Sequence, residues 1–238
     1  MYSEVFCKVY DAFGWNYYPE AFGQQLLQWL RENRIAPQAG LDLACGTGVL
    51  CRILHAHGLE MMGVDLSEGM IGIARAAGDG VQYHVADMIT YRPQKQFDLV
   101  TCTGDALNHI AQLGDVEKII QNVWDCLRPG GWFVFDLLNE REISTEEPFE
   151  MDFTDTVRVW FQMTQPARNR VRLTVRVFEN GVLQLEEVIR ETVHDPADVC
   201  QLLHGCGFTV ARCADRLLDD GGHGTTWFVA AQKPEETI

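Results

Sequence analysis

Basic residues are scarce in this chain. Lys and Arg number 19 against 34 Asp and Glu, a formal charge of −15 on 238 residues. A surface of that sign repels a phosphate backbone, and no Lys/Arg cluster interrupts it, so neither nucleic acid nor an anionic membrane surface is an expected partner. Long apolar runs are also missing. Stretches such as 131–138 fall far short of the ~20 residues a membrane span requires. Residues 1–10 mix Glu4 and Lys8 among aromatics and show neither a basic lead nor an apolar core, so no secretory leader is expected and the cytoplasm is the expected location. The eight cysteines (7, 45, 51, 102, 126, 200, 206 and 213) include no CxxC pair. They are expected to be free thiols in a reducing compartment, and no Cys/His set has the spacing of a zinc site. Repeats, low-complexity tracts and Ser/Gly-rich linkers are absent as well.

What is present is a composition able to bury a core: 47% hydrophobic and 22% charged residues. The length allows one large domain or one domain with an insertion. Residues 19–35 carry Phe22, Leu26, Leu27 and Leu30 at helical spacing. Short apolar strands are predicted at 41–45, 61–65, 81–85, 97–102 and 132–138. Helices are predicted between them from the Gly46-Thr47-Gly48 turn to His57, from the Ser67 cap to Ala77, and from about Asp115 to Leu127 before Pro129-Gly130-Gly131. Strands alternating with helices predict a Rossmann-like α/β fold, a mostly parallel sheet covered on both faces.

The pattern changes at 155–163, 170–178 and 182–193, which are long and β-rich. Asn180-Gly181 joins the last two as a hairpin turn. Three antiparallel strands are therefore expected as an insertion after strand five. Arg168, Arg170, Arg172 and Arg176 share this region with Glu179, Glu186, Glu187 and Glu191, which predicts cross-strand ion pairs on a solvated face. A helix at 196–204 and a hairpin of 208–213 with 226–232, joined by an acidic Gly-rich loop, complete the core.

The most informative stretch is 41–48. An apolar strand carrying Asp42 runs into a turn with Gly46 and Gly48 that opens a helix. Glycine there permits a tight turn and close ligand approach, and the helix start offers unpaired N–H groups to an anion. A dinucleotide or an S-adenosylmethionine site would each suit this arrangement. The dinucleotide fingerprint wants a third glycine where Cys51 stands, whereas an acid before the turn suits a ligand with an ammonium group. Asp65 ends the second strand, 17 residues beyond Gly48, where a carboxylate can accept both ribose hydroxyls of an adenosine. Asp87, at the end of the third strand, is placed to accept adenine amino hydrogens, with Met88 against the ring.

LDLACGTG (41–48), GVDLS (63–67), VADM (85–88), FDLVTCTGDALNHI (97–110) and LRPGGWFVFD (127–136) resemble the successive motifs of class I S-adenosylmethionine-dependent methyltransferases, over about 140 residues. One departure is Ala44, where many members carry Gly. The resemblance implies seven strands in the order 3-2-1-4-5-7-6 with the seventh antiparallel. By position it implies that Asp42, Ala44, Cys45, Gly46 and Gly48 hold the methionine part of S-adenosylmethionine. Asp65 would hold the ribose and Asp87 and Met88 the adenine, with Leu66 and Met70 also expected to bind the cofactor. Thr103 would reach the methionine end through its backbone. Tyr10, Asp11, Trp15, Tyr17 and Tyr18 resemble the N-terminal cap of small-molecule N-methyltransferases, with Tyr10 and Tyr18 closing over the cofactor.

The expected layout is a helical cap over 1–36, a cofactor-binding core over 37–150 and 194–238, and an antiparallel insertion over 151–193 serving as a lid or as the surface of a homodimer. The expected activity is N- or O-methylation of a small-molecule acceptor by in-line transfer. The alternative is a catalytically silent S-adenosylmethionine-binding regulatory or scaffold protein. His109 is the candidate general base, because the loop after strand four borders the acceptor pocket. Asp105 and Asn108 would orient substrate or support structure. No metal is expected.

Overall fold

A computed structural model describes residues 2–78, 80–139, 147–218 and 226–235. Two helices lead the chain, α1 (Glu4–Tyr10) and α2 (Tyr17–Glu32). Strands and helices then alternate: β1 (Ala39–Leu43), α3 (Val49–Ala56), β2 (Glu60–Asp65), α4 (Glu68–Ala76), β3 (Gln82–Val85), β4 (Phe97–Cys102), α5 (Leu113–Cys126) and β5 (Leu127–Leu138). The inserted strands are β6 (Phe149–Asp152), β7 (Val157–Ala167), β8 (Arg170–Glu179) and β9 (Val182–Thr192). The chain returns to the core through α6 (Pro196–Cys206), β10 (Thr209–Ala214) and β11 (Thr226–Gln232). The loop expected before β11 falls largely in 219–225, outside the described residues.

The seven core strands lie in the order β10-β11-β5-β4-β1-β2-β3. Neighbours from β3 to β5 are parallel, and β11 runs antiparallel to both of its neighbours. This is the expected order and direction. Alternation along each strand sends side chains to two apolar layers. Phe133, Phe135 and Leu137 of β5 join Val116, Ile120 and Val123 of α5 and Leu203 of α6 on one face. Trp132 and Val134 face the other, with Leu26 of α2, Leu54 of α3 and Ile71 of α4. A sheet buried on both faces needs such near-continuous apolar strands, which is why they stand out in the sequence.

Boundaries differ from expectation where local signals compete with tertiary pairing. β5 starts before Pro129-Gly130-Gly131, because Gly130 N–H donates to Lys233 O (2.8 Å) and Lys233 N–H to Gly131 O (2.9 Å), continuing the ladder with the chain that follows β11. α2 begins two residues ahead of Pro19, which sits in the first turn, where a missing N–H costs nothing. The insertion forms a four-stranded sheet β6-β7-β8-β9 rather than three strands. β6 is four residues long and exposed throughout, so it carries no alternation to read. Asn180 (φ 50°) and Gly181 (φ 77°) make the expected tight turn between β8 and β9.

Arg176 does pair with Glu186 across the hairpin (2.5 Å). Glu187 and Glu191 depart from the expected solvated face. Side chains alternate along β9, and these two share the parity of the buried Leu185 and Ile189, so they point inward. That inner face packs Val159, Val175 and Ile189 around Phe6 of α1. Ser3 N–H donates to Glu187 Oε2 (3.2 Å), and Cys7 Sγ lies 3.4 Å from Ser67 Oγ at the start of α4, so α1 is held between insertion and core.

Candidate active site

A cavity of about 640 Å³ opens where the C-terminal ends of β1 to β4 face α1, the first turn of α2 and β8–β9. This is the place where an open α/β sheet binds ligands. At its core end the turn after β1 is built from left-handed backbone. Ala44 (φ 56°) and Gly46 (φ 53°) line the cavity. A side chain at Gly46 would meet no atom within 4 Å, so the turn is open on its ligand side. Gly48 (φ 81°) is different: a Cβ there would come within 2.5 Å of the Tyr83 hydroxyl. Gly48 does not line the cavity, and its smallness serves packing beneath α3.

Asp65, at the end of β2, accepts Gly46 N–H on Oδ2 (2.9 Å) and Ser67 N–H on Oδ1 (2.8 Å). The carboxylate therefore fixes the turn and keeps acceptor capacity for a further donor. Burial pushes its pKa up. Asp42 is fully buried at the cavity floor, accepting from Thr101 Oγ1 (2.6 Å) and Cys51 Sγ (3.6 Å). Desolvation raises it to about 7. Asp87 accepts Ile89 N–H on Oδ1 (2.8 Å) and lines the cavity beside Met88. Cys45, Leu66, Met70 and Thr103 also line it, as do Tyr10 and Tyr18 on the N-terminal side. Tyr10 stacks on Trp15 with centroids 5.4 Å apart. Thr47 Oγ1 donates to Asp11 Oδ1 (2.8 Å), tying the loop after α1 to the glycine turn.

The opposite end of the cavity is acidic. The 3₁₀ turn Ala106–His109 after β4 brings His109 Nε2 to 4.0 Å from Asp105 Oδ1. Ligand atoms of Asp105, His109 and Glu191 all lie within 4.8 Å of one another. Burial lowers the His109 pKa, which keeps the imidazole neutral. Burial raises Glu191 to about 7 and Asp105 upward, the latter assisted by the neighbouring carboxylates of Glu191 and Asp136. Asn108 is structural: its Nδ2 donates to Thr192 O (2.8 Å), while its Oδ1 accepts Leu138 N–H (2.9 Å), joining the turn to β9 and β5.

The candidate residues read from the sequence line this cavity except Gly48, Asn108 and, in the cap, Asp11 and Tyr17. Three participants were not read from it. Asp136, at the end of β5, accepts from Tyr18 Oη and from the N–H groups of Gly104 (2.9 Å) and Asp105 (2.7 Å). The rule that singled out Asp65 and Asp87, an acid at a strand's carboxyl end, applies to it equally. Glu191 was legible only from its parity with Leu185 and Ile189. Tyr2, edge-on to His109 at 6.1 Å, carries no local signal.

The cavity fits an adenosyl sulfonium bearing an ammonium group. It offers a buried carboxylate at Asp42, a second with free acceptor capacity at Asp65, and an open turn at Gly46. Residues 41–131 match the family model described as a methyltransferase domain. A protein named as a methyltransferase in Geobacillus sp. (strain WCH70) is 26% identical over 204 residues, 80% of this chain and 83% of that one. A ubiquinone biosynthesis O-methyltransferase of Aromatoleum aromaticum is 33% identical over 120 residues, 48% of this chain and 50% of its own length, so the chain spans about half of that relative. The solved amino pentose methyltransferase of Micromonospora echinaspora, determined with S-adenosylmethionine bound, superposes with a TM-score of 0.76 at 21% identity, covering 98% of each chain. Residues 41–131 thus resemble a methyltransferase domain, and these relatives of the chain are named as methyltransferases.

Proposed function

We propose that this chain binds S-adenosylmethionine and uses it to methylate an amine or hydroxyl of a small-molecule acceptor held inside the cavity. The observation that carries the reading is the cavity's two-ended construction, with Asp42, Gly46, Asp65 and Asp87 at one end and Asp105, His109 and Glu191 at the other. Two of these relatives, an amino pentose methyltransferase and an O-methyltransferase of ubiquinone biosynthesis, support a small acceptor. Bound S-adenosylmethionine supplies a methyl group already activated on a sulfonium, so the protein's share is alignment.

Asp42 faces the ammonium group, Asp65 takes the ribose hydroxyls, and Asp87 with Met88 the adenine. Cys45, Leu66, Met70 and the Thr103 backbone complete the cradle. Tyr10 and Tyr18 close the N-terminal side, so that within residues 1–36 the cap is α1 and the first turn of α2. Strands β8 and β9, within 151–193, form the lid. Holding both reactants in line is worth about 7–11 kcal/mol of barrier. His109, neutral and at the acceptor end, accepts the proton released by a hydroxyl or ammonium acceptor.

The test is transfer from methyl-labelled S-adenosylmethionine in the presence of a metabolite extract freed of macromolecules. Label in a low-mass product supports the reading. Label only on protein or nucleic acid, or tight cofactor binding with no product from any fraction, overturns it.

A further inference from the structure

Glu191 is 8% exposed, lines the cavity, and has no hydrogen-bond donor or cation on its carboxylate among the described residues. A buried carboxylate without a partner is costly and points to something that binds it. Its neighbours are a second carboxylate, Asp105, and the imidazole of His109. Asp105 is carried on left-handed backbone (φ 52°), directly after Gly104 (φ 73°), in a loop anchored by the Asp136 carboxylate. Three donor atoms from two separate elements, the turn after β4 and strand β9, thus converge within 4.8 Å. An ion with bonds of about 2.1 Å holds its ligand atoms roughly 3–3.4 Å apart, so movements of an ångström or so by side chains facing open space would close the set.

We propose that Asp105, His109 and Glu191 bind one divalent transition-metal ion. Two carboxylate oxygens and one imidazole nitrogen balance a charge of +2, and the nitrogen favours manganese, iron, cobalt or zinc over magnesium and calcium. Three protein ligands on a cavity wall leave positions open, the arrangement of a metal that receives a small ligand. The ion then presents an oxygen- or nitrogen-bearing acceptor to the cofactor end of the cavity. With the ion in place His109 is a ligand, so its proton-accepting role belongs to the ion-free protein. The binding site itself rests on the cluster alone; only its description as the acceptor end rests on the methyl-transfer reading.

The test is titration of the untagged, metal-stripped protein with Co²⁺ alone, followed by visible absorption and calorimetry. One equivalent should bind and give ligand-field bands. Glu191→Gln, Asp105→Asn and His109→Ala should each weaken binding about tenfold or more, with the thermal midpoint of Asp105→Asn close to that of the wild type. Absence of saturable binding, or binding that all three substitutions leave unchanged, overturns the proposal. A cluster that accepts only an ammonium group gives no cobalt bands and counts against it in the same way. None of these readouts uses methyl transfer, so failure here and failure of the proposed function are separate results.

Discussion

Tyr18 donates its hydroxyl proton to the Asp136 carboxylate across 118 residues of sequence. The same carboxylate accepts the N–H groups of Gly104 and Asp105, so one buried acid joins the start of α2, the end of β5 and the loop that carries His109. Burial pushes Asp136 up to about 6, against the pull of these three donors. Tyr18→Phe removes a side-chain donor from this group. Hydrogen bonds to charged acceptors contribute about 1.5–3 kcal/mol. A stability loss of about 1–3 kcal/mol is expected in urea unfolding, and an unchanged midpoint would show the contact to be idle.

Asp42 gives a pH dependence. Its folded-state pKa is about 7 against an unfolded 3.8, so the folded protein binds the proton more tightly. The sign follows from linkage: stability of the cofactor-free protein falls as pH rises from about 4 to 7 and is flat above that, with of the order of 4 kcal/mol as the upper bound for this one group. Asp42→Asn should flatten that part of the profile. Cofactor affinity should run the opposite way, tightening from pH 6 to 8 as the carboxylate ionises to meet the ammonium group. A variant whose stability profile parallels the wild type over this range would remove Asp42 from both roles.

Ala44 stands in left-handed backbone at φ 56°, a conformation that costs an alanine roughly 1–2 kcal/mol. Glycine relieves the strain but adds about 0.5–1 kcal/mol of unfolded-chain entropy. Ala44→Gly is therefore expected to be neutral or stabilising by up to about 1 kcal/mol in denaturant unfolding. A loss of more than that would mean the methyl group makes contacts that outweigh the strain.

The sheet was legible because parallel strands buried on both faces read as apolar runs, and the glycine turn, Asp65 and Asp87 fall at their ends. Less was visible wherever the signal is not local. β6 is too short and exposed to show a pattern. Glu191 looked like one more member of a charged hairpin until the parity of Leu185 and Ile189 was taken into account. The link from Tyr18 to Asp136 depends on packing α2 across the sheet, which no spacing encodes. Gly48 shows the converse, a motif residue whose glycine is explained by the Tyr83 ring behind it.

Calorimetric titration of S-adenosylmethionine into the wild type and Asp65→Ala tests the placement of the cofactor most directly. The carboxylate that steadies the Gly46 turn also serves the ribose in this account, and losing charged-acceptor hydrogen bonds costs about 1–3 kcal/mol. One equivalent should bind the wild type, with affinity reduced about 5- to 150-fold in a variant that still unfolds cooperatively. Equal affinity for both proteins would place the adenosine elsewhere and contradict the account.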